Sequence, residues 1–183
     1  MKAFLDIETG GFSTTKNGIC EIALVVVDDN FKVVDVFHEL IKPYTRLNED
    51  GTESVELVSY KDDAMAVNGL TVERLVNEGL DVVEVSIKLS GFIDKHNIQT
   101  VIGHNSNAFD IPRVEYLLNR FVSGYSIQNK RKVDTMVLAK DKLKLSSYKL
   151  EFLCAHFGIQ IMDQHTAKGD ALATFELYKI LIF

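Results

Sequence analysis

No segment constrains the fold of this chain more than Phe4-Leu5-Asp6-Ile7-Glu8-Thr9-Gly10-Gly11. It begins as a short apolar, β-forming run that two carboxylates interrupt at alternate positions. In a strand, side chains two apart share a face and each residue rises about 3.3 Å, so Asp6 and Glu8 stand side by side with Cα atoms roughly 6–7 Å apart. Two like charges held that close are costly to bury unless a cation sits between them. Their hard oxygen atoms suit Mg²⁺ or Mn²⁺. Taken alone, the stretch is satisfied equally well by a solvated acidic strand face.

The 183 residues suffice for one domain with a substantial core, and residues 1–183 are expected to form a single unit. No apolar run approaches the ~20 residues a membrane-spanning helix needs, and Asp6 and Glu8 break any signal-peptide pattern at the N-terminus. Cys20 and Cys154 each lie in an apolar segment and read as small core residues in a reducing compartment, so a cytoplasmic location is expected. The net charge of −6 argues against a nucleic-acid partner. Two divalent ions in an acidic site would bring the balance to about −2, and the charge is unevenly spread. Between Lys130 and Lys149 stand seven basic residues (Lys130, Arg131, Lys132, Lys140, Lys142, Lys144, Lys149) against Asp134 and Asp141, a local patch compatible with a polyanion.

The pattern predicts strands over Cys20–Val27 and Phe31–Ile41, joined by the turn residues Asp28-Asp29-Asn30. With the opening strand they form a three-stranded antiparallel meander. Residues 42–63, with acids at Glu49, Asp50, Glu53 and Glu56, read as an irregular surface excursion. Val67–Thr71 reads as a turn into a short helix capped by Thr71. A helical stripe covers Val82–Lys95, followed by a buried strand over Thr100–His104 and thus a β-α-β unit. Ala108–Phe121 reads as a helix with Pro112 in its first turn, Lys132–Asp134 as a strand and Thr135–Lys142 as a helix. Ser146 or Ser147 is expected to cap a helix ending at Gly158. The last helix starts near Thr166 or Ala167 and shows an apolar face at 171, 175, 178 and 182. The expected class is α/β, with a mixed central β-sheet flanked by helices.

Two later segments offer partners for the opening acids. Asp110 falls in the first turn of its helix, where the macrodipole favours an anion. In His165-Thr166-Ala167-Lys168-Gly169-Asp170 a Thr166 cap leaves His165 in the loop and puts Asp170 on the first turn. Gly169 is a poor helix former, and its missing side chain allows a close approach.

Asp6-Ile7-Glu8-Thr9-Gly10-Gly11, Phe109-Asp110 and His165-x4-Asp170 together resemble the three motifs of the DEDDh 3′–5′ exonuclease family, in order and over nearly the whole chain. His104-Asn105 ahead of Phe109-Asp110-Ile111-Pro112, and the His165–Asp170 segment, are more similar to the three-prime repair exonucleases than to a polymerase proofreading subunit. Ser147-Tyr148-Lys149-Leu150 also resembles the segment before the last motif. The resemblance implies a ribonuclease H-like fold, metal-dependent hydrolysis at DNA 3′ ends (single-stranded or frayed), and release of nucleoside 5′-monophosphates. It assigns Asp6, Glu8, Asp110 and Asp170 to two Mg²⁺, with Mn²⁺ able to substitute and Asp6 shared between the ions. His165 is the implied base, since histidine changes charge near neutral pH. It also places Thr9, Asn68, His104 and Asn105 against substrate, Asn68 standing where many members carry histidine. Phe12, Leu70 and Phe109 are the residues expected to wedge or stack against a base, and Gly10-Gly11 to approach the terminal sugar. Polymerase-associated members carry sequence beyond the nuclease domain whereas this chain stops at Phe183, which counts against a polymerase partner. An RNA-trimming exonuclease and a non-catalytic nucleic-acid-binding module are the competing readings.

Overall fold

The computed structural model describes residues 1–48 and 50–183, so Glu49 of the acidic excursion lies outside the described residues. In chain order the elements are β1 (Lys2–Thr9), β2 (Ile19–Val27), β3 (Val33–Leu40), β4 (Thr45–Leu47), β5 (Glu53–Leu57), α1 (Asp62–Asn68), α2 (Val72–Glu78), α3 (Val82–Lys95), β6 (Thr100–Gly103), α4 (Asp110–Phe121), β7 (Arg131–Asp134), α5 (Thr135–Lys142), α6 (Leu150–Phe157) and α7 (Ala167–Ile182). Five strands form one mixed sheet in the order β3-β2-β1-β6-β7. The first three make the antiparallel meander, whereas β6 runs parallel to β1 and β7 parallel to β6.

Strand periodicity divides β1 between two cores. Ala3, Leu5 and Ile7 join the cluster under α3 and α4, which contribute Val85, Leu89, Ile93, Val114, Leu117 and Leu118. Phe4 faces the other way and packs with Ala23, Val25 and Ile102 against Ala167, Ala171 and Phe175 of α7. Asp6 and Glu8 continue the Phe4 row, so they look toward α7. Glu21 lies opposite Glu8 in the β1–β2 register and shares the parity of Ala23 and Val25. Both faces of β2 are covered and all nine of its residues are buried, which accounts for a near-continuous apolar run in place of an alternating one.

The structure corrects several sequence expectations. The excursion over residues 42–63 contains the β4–β5 hairpin and the start of α1. The hairpin was illegible because Val55 and Leu57 are exposed, so hydrophobic burial imposes no strand pattern there. Val67 and Asn68 finish α1, and Gly69 turns the chain with left-handed backbone (φ 67°). Thr71 caps α2 as expected, its hydroxyl accepting from the Arg74 N–H. Neither Ser146 nor Ser147 caps α6, which starts at Leu150 with no side-chain cap. Phe31 precedes β3 in a left-handed turn conformation. Besides Ala171 and Phe175, α7 buries Leu177 and Leu181 against Ala139 and Leu153 of α5 and α6, a second apolar face beyond the expected stripe. Both cysteines are buried free thiols. Among the described residues no helix is long and apolar enough to cross a membrane.

Candidate active site

The four acids come together where the central strand, the start of α4 and the start of α7 converge. Asp6 and Glu8 project from β1; Asp170 lies in the first turn of α7, whose N-cap Thr166 accepts a hydrogen bond from the Gly169 N–H at 3.1 Å. Carboxylate oxygens of Asp6, Glu8 and Asp170 lie within 4.8 Å of one another. Asp110, the first residue of α4, is buried, and its Oδ1 accepts from the Ile7 N–H of β1 at 3.1 Å. Its carboxylate therefore docks from α4 onto the β1 backbone at Ile7, the residue between Asp6 and Glu8, with one oxygen committed there.

The electrostatics fit a cation site. Burial, reinforced by Asp110, Asp170, Glu8 and Glu21, raises the Asp6 carboxyl well above the usual carboxylate range. Burial likewise pushes Glu8 up to about 8, with Asp170, Glu21 and Asp110 adding to it. Asp110 rises to about 7 through burial, opposed by the Ile7 hydrogen bond and the nearby Arg113. Asp170 is raised by burial and partly restored by His165. Its Oδ1 is buried and has no hydrogen-bond partner. Such an orphaned acceptor among repelling acids is what a divalent cation satisfies, so the residues present fit the expected metals.

Two hollows flank the carboxylates. One of about 130 Å³ is bordered by Lys149, Glu151, Gln164, His165 and Asp170. His165 stands there half-buried in left-handed backbone (φ 62°), two residues after Asp163 in the same conformation (φ 54°). The other, about 290 Å³, is lined by Glu8, Thr9, Gly11, Phe12, Val67 and Phe109. Phe12 is 80% exposed and meets Phe109 edge-on with ring centroids 6.2 Å apart. Thr9 donates its hydroxyl to the Gly11 carbonyl at 2.9 Å, which shapes the end of β1 as it enters the cleft.

Other residues expected at the substrate are used by the protein itself. Leu70 is buried with Cys20 and Leu75 and does not line the cleft. Asn68 donates to the Thr9 carbonyl at 3.4 Å and accepts from the Leu70 N–H at 3.0 Å, which ties α1 to β1. Both ring nitrogens of His104 are engaged: Nε2 donates to the Tyr148 carbonyl at 2.8 Å and Nδ1 lies 2.8 Å from the Thr135 hydroxyl. Burial lowers its pKa, consistent with a neutral ring joining β6 to the segment before α6. Asn105 is exposed with φ 58°, its N–H donating to Asp134. Gly10 serves a close approach of the chain to itself, since a Cβ there would meet the Ser59 carbonyl and the Tyr60 backbone at 2.9 Å. Gly11 takes φ +146°, open to glycine, and lines the cleft. Of the basic run, Lys149 borders the His165 hollow, whereas Lys132 and Lys142 bond the Gln128 and Leu181 carbonyls.

Sequence reasoning missed Glu21 and Arg113. Glu21 is 4% exposed, pairs with His38 and accepts from the Ala167 N–H at 3.2 Å, so it anchors the start of α7. Its signal was present: it is the one charged residue within the apolar Ile19–Val27 strand. Arg113 had none, because the contact that ties it to the opening loop, at Phe12, comes from 101 residues away.

An exonuclease family profile of the RNase T type matches residues 3–178. The PolC-type DNA polymerase III of Thermotoga petrophila is 29% identical over 174 residues, covering 95% of this chain and 11% of the polymerase. That of Clostridium perfringens is 29% identical over 175 residues, again 95% of this chain and 11% of the polymerase. The chain thus spans about a tenth of the length of these curated relatives, which are polymerases and lend no support to the expected leaning toward three-prime repair enzymes. Among solved structures, E. coli exonuclease I in complex with a dT13 oligonucleotide superposes with a TM-score of 0.77 at 18% identity, covering 98% of this chain and 40% of that one. The zinc-bound form of its complex with single-stranded DNA gives the same TM-score, identity and coverage. These structures establish the fold, ribonuclease H-like as expected. With a profile match spanning nearly its whole length, the chain belongs to the exonuclease family.

Proposed function

We propose that residues 1–183 act as one exonuclease domain that removes nucleotides from DNA 3′ ends by metal-dependent hydrolysis, releasing nucleoside 5′-monophosphates. The observation that carries this reading is the convergence of Asp6, Glu8 and Asp170 within 4.8 Å around a buried, unpartnered Asp170 oxygen. Two divalent cations, Mg²⁺ or in its place Mn²⁺, would be held by Asp6, Glu8, Asp110 and Asp170 and would stabilise the attacking and leaving oxygens of an in-line displacement. Asp6, with Asp110 and Asp170 as charged neighbours, would be the acid shared between the two positions, Glu8 and Asp170 would serve one and Asp110 the other. His165, in the hollow beside Asp170, takes the proton of the attacking water. Phe12 and Phe109 receive the terminal base in the hollow on the far side of Glu8, where the space of about 290 Å³ suits one nucleotide.

DNA is favoured as substrate because the curated relatives are DNA polymerases and the exonuclease I complexes hold single-stranded DNA. The PolC relatives also support work alongside a polymerase, contrary to the expectation from the length of the chain. The test is incubation of the protein with a 3′-labelled oligodeoxynucleotide and Mg²⁺, beside the matched RNA. Mononucleotide release from DNA that is lost in Asp6→Ala supports the reading. No release, or release indifferent to that substitution, defeats it; faster release from RNA reassigns the substrate.

A further inference from the structure

Arg113, on α4, turns inward and is 5% exposed. Burying a guanidinium is costly unless its donors are met. Here Nη1 donates to the Phe109 carbonyl at 2.8 Å and Nη2 donates to the Phe12 carbonyl. The guanidinium carbon also lies 3.7 Å from the centre of the Phe109 ring. One side chain therefore binds the backbones of both cleft aromatics and covers one face of one of them. Nε stays buried without a partner, so the group is placed for the two carbonyls and the ring, not for complete satisfaction of its own donors.

Those two aromatics come from unrelated parts of the chain. Phe12 follows β1 in a loop, and Phe109 is the residue before α4. Phe12 is 80% exposed and meets Phe109 only edge-on, so ring packing does little to hold it. The hydrogen bond from Arg113 to its carbonyl spans 101 residues of sequence and joins the loop to the helix. With one face of Phe109 taken by the guanidinium, its remaining face and edge and the Phe12 ring form a corner in the wall of the cleft. A flat apolar base would fill such a corner, and holding both rings in place beforehand spares the ordering cost on binding.

We infer that Arg113 is a positioning residue for substrate: it fixes the Phe12–Phe109 corner that receives the terminal base, and so acts on affinity and not on the hydrolytic step. This rests on the exonuclease reading above. A lysine at 113 keeps the charge near Asp110 but cannot bind two carbonyls while lying flat on a ring.

The experiment is a double-mutant cycle on the full chain with Arg113→Lys, Phe12→Ala and the double variant, using a single-stranded oligothymidylate and Mn²⁺. Each single variant is expected to raise KM about ten-fold, within what one base–aromatic contact supplies, with kcat and the Mn²⁺ requirement unchanged. The double variant is expected to fall short of the product of the two single effects, because part of the arginine's action passes through the Phe12 ring. An additive double variant, an unchanged KM in Arg113→Lys, or a loss confined to kcat overturns the assignment. Phe12 is exposed, so Phe12→Ala folds even where a lysine at 113 does not, and an unchanged KM in that variant alone also overturns it. The same cycle is read without turnover as calorimetric binding of dTMP in Ca²⁺. A wild-type chain that binds dTMP with the expected coupling but hydrolyses nothing defeats the function proposed above and leaves this inference standing; absence of coupling does the reverse.

Discussion

Asp6 and Glu8 stand on β1, the middle strand of the five-stranded sheet, whereas His165 stands on a turn just ahead of α7. The strand pairs with β2 along its whole length and with β6 as far as Phe4, and it is packed on both faces, so the two carboxylates inherit their spacing from the sheet. The turn has no ladder. It holds two non-glycine residues in left-handed backbone, Asp163 and His165, a conformation that persists only where the surroundings over-determine it. Those surroundings are few. The Asp163 carbonyl accepts from the hydroxyl and the N–H of Thr166, at 2.7 and 3.2 Å. The Met162 and Asp163 carbonyls rest on Gly169, where a Cβ would come within 2.4 and 2.2 Å of them. Glu21 reaches across from β2 to the Ala167 N–H. One half of the site is set by a sheet that the whole fold maintains, the other by a handful of local contacts, so small changes should be felt differently in the two halves.

The largest effect should come from the strand half. Asp6→Asn removes the acid that faces all the others, and loss of several kcal/mol of transition-state stabilisation predicts a fall in kcat on the order of 10⁴-fold. Oligonucleotide degradation assays check this, and circular dichroism should show the fold intact. On the turn, His165→Gln should lower kcat on the order of 10³-fold, within the range a positioned base contributes, while Mn²⁺ binding measured by calorimetry stays as in the wild type. A deficit in metal affinity of the same size would make the two halves one unit.

Gly169→Ala probes the seat of the turn without touching chemistry. The added methyl displaces the 162–163 carbonyls and with them His165, and misplacement of a reacting group by about 1 Å can cost up to roughly 10²-fold. A fall in kcat of some tens-fold with a drop in melting temperature of a few degrees is expected, since alanine's helix propensity, worth about 1 kcal/mol, offsets only part of the clash with two backbone carbonyls. Unchanged kcat would show that the turn adapts more freely than the contacts suggest.

The smallest effect is thermodynamic and belongs to the carboxylates. Glu8 is raised from the ordinary 4.5 to about 8 and Asp110 from 3.8 to about 7. An acid whose folded pKa is raised holds its proton more tightly folded than unfolded, so its contribution to stability is full below the unfolded value and is lost as pH rises through the folded one. In EDTA the melting temperature should therefore fall between about pH 4 and pH 8. Each ~1 kcal/mol lost corresponds to about 2–4 °C for a chain of this size. Mg²⁺ or Mn²⁺ should restore most at pH 8, where the acids are ionised and repel, and Asp6→Asn should flatten the slope by removing one of the repelling charges. Calorimetric melts across pH, with and without metal, decide it; a rise of stability with pH in EDTA would contradict the repulsion.

Much of the sheet was legible because burial leaves a mark on sequence. The meander, the parallel β6, the α3 stripe and the Thr71 and Thr166 caps all follow from periodicity or from a side chain that bonds a neighbour within three residues. The β4–β5 hairpin left no mark because its apolar side chains, Val55 and Leu57, face solvent. The second face of α7 was hidden because Leu177 and Leu181 pack on α5 and α6, whose placement the stripe does not encode.

The site divides in the same way. Two-residue alternation sufficed to put Asp6 and Glu8 on one face of a strand, and a cap at Thr166 to put Asp170 on the first turn of a helix, since both are local consequences of backbone geometry. That these groups meet around one unpartnered oxygen was decided by the crossing of β1 and α7. The tertiary structure also gives His104, Asn68, Leu70 and Gly10 partners within the protein, and brings Glu21 and Arg113 to the site's edge. Hydrogen bonds and close approaches between segments tens of residues apart leave no periodic trace, so residue type at those positions is compatible with several partners until the fold selects one. Left to the amino-acid sequence were the identity of the acids and the strand and helix that carry them; left to the folded chain was which polar groups remain free to meet a metal or a nucleotide.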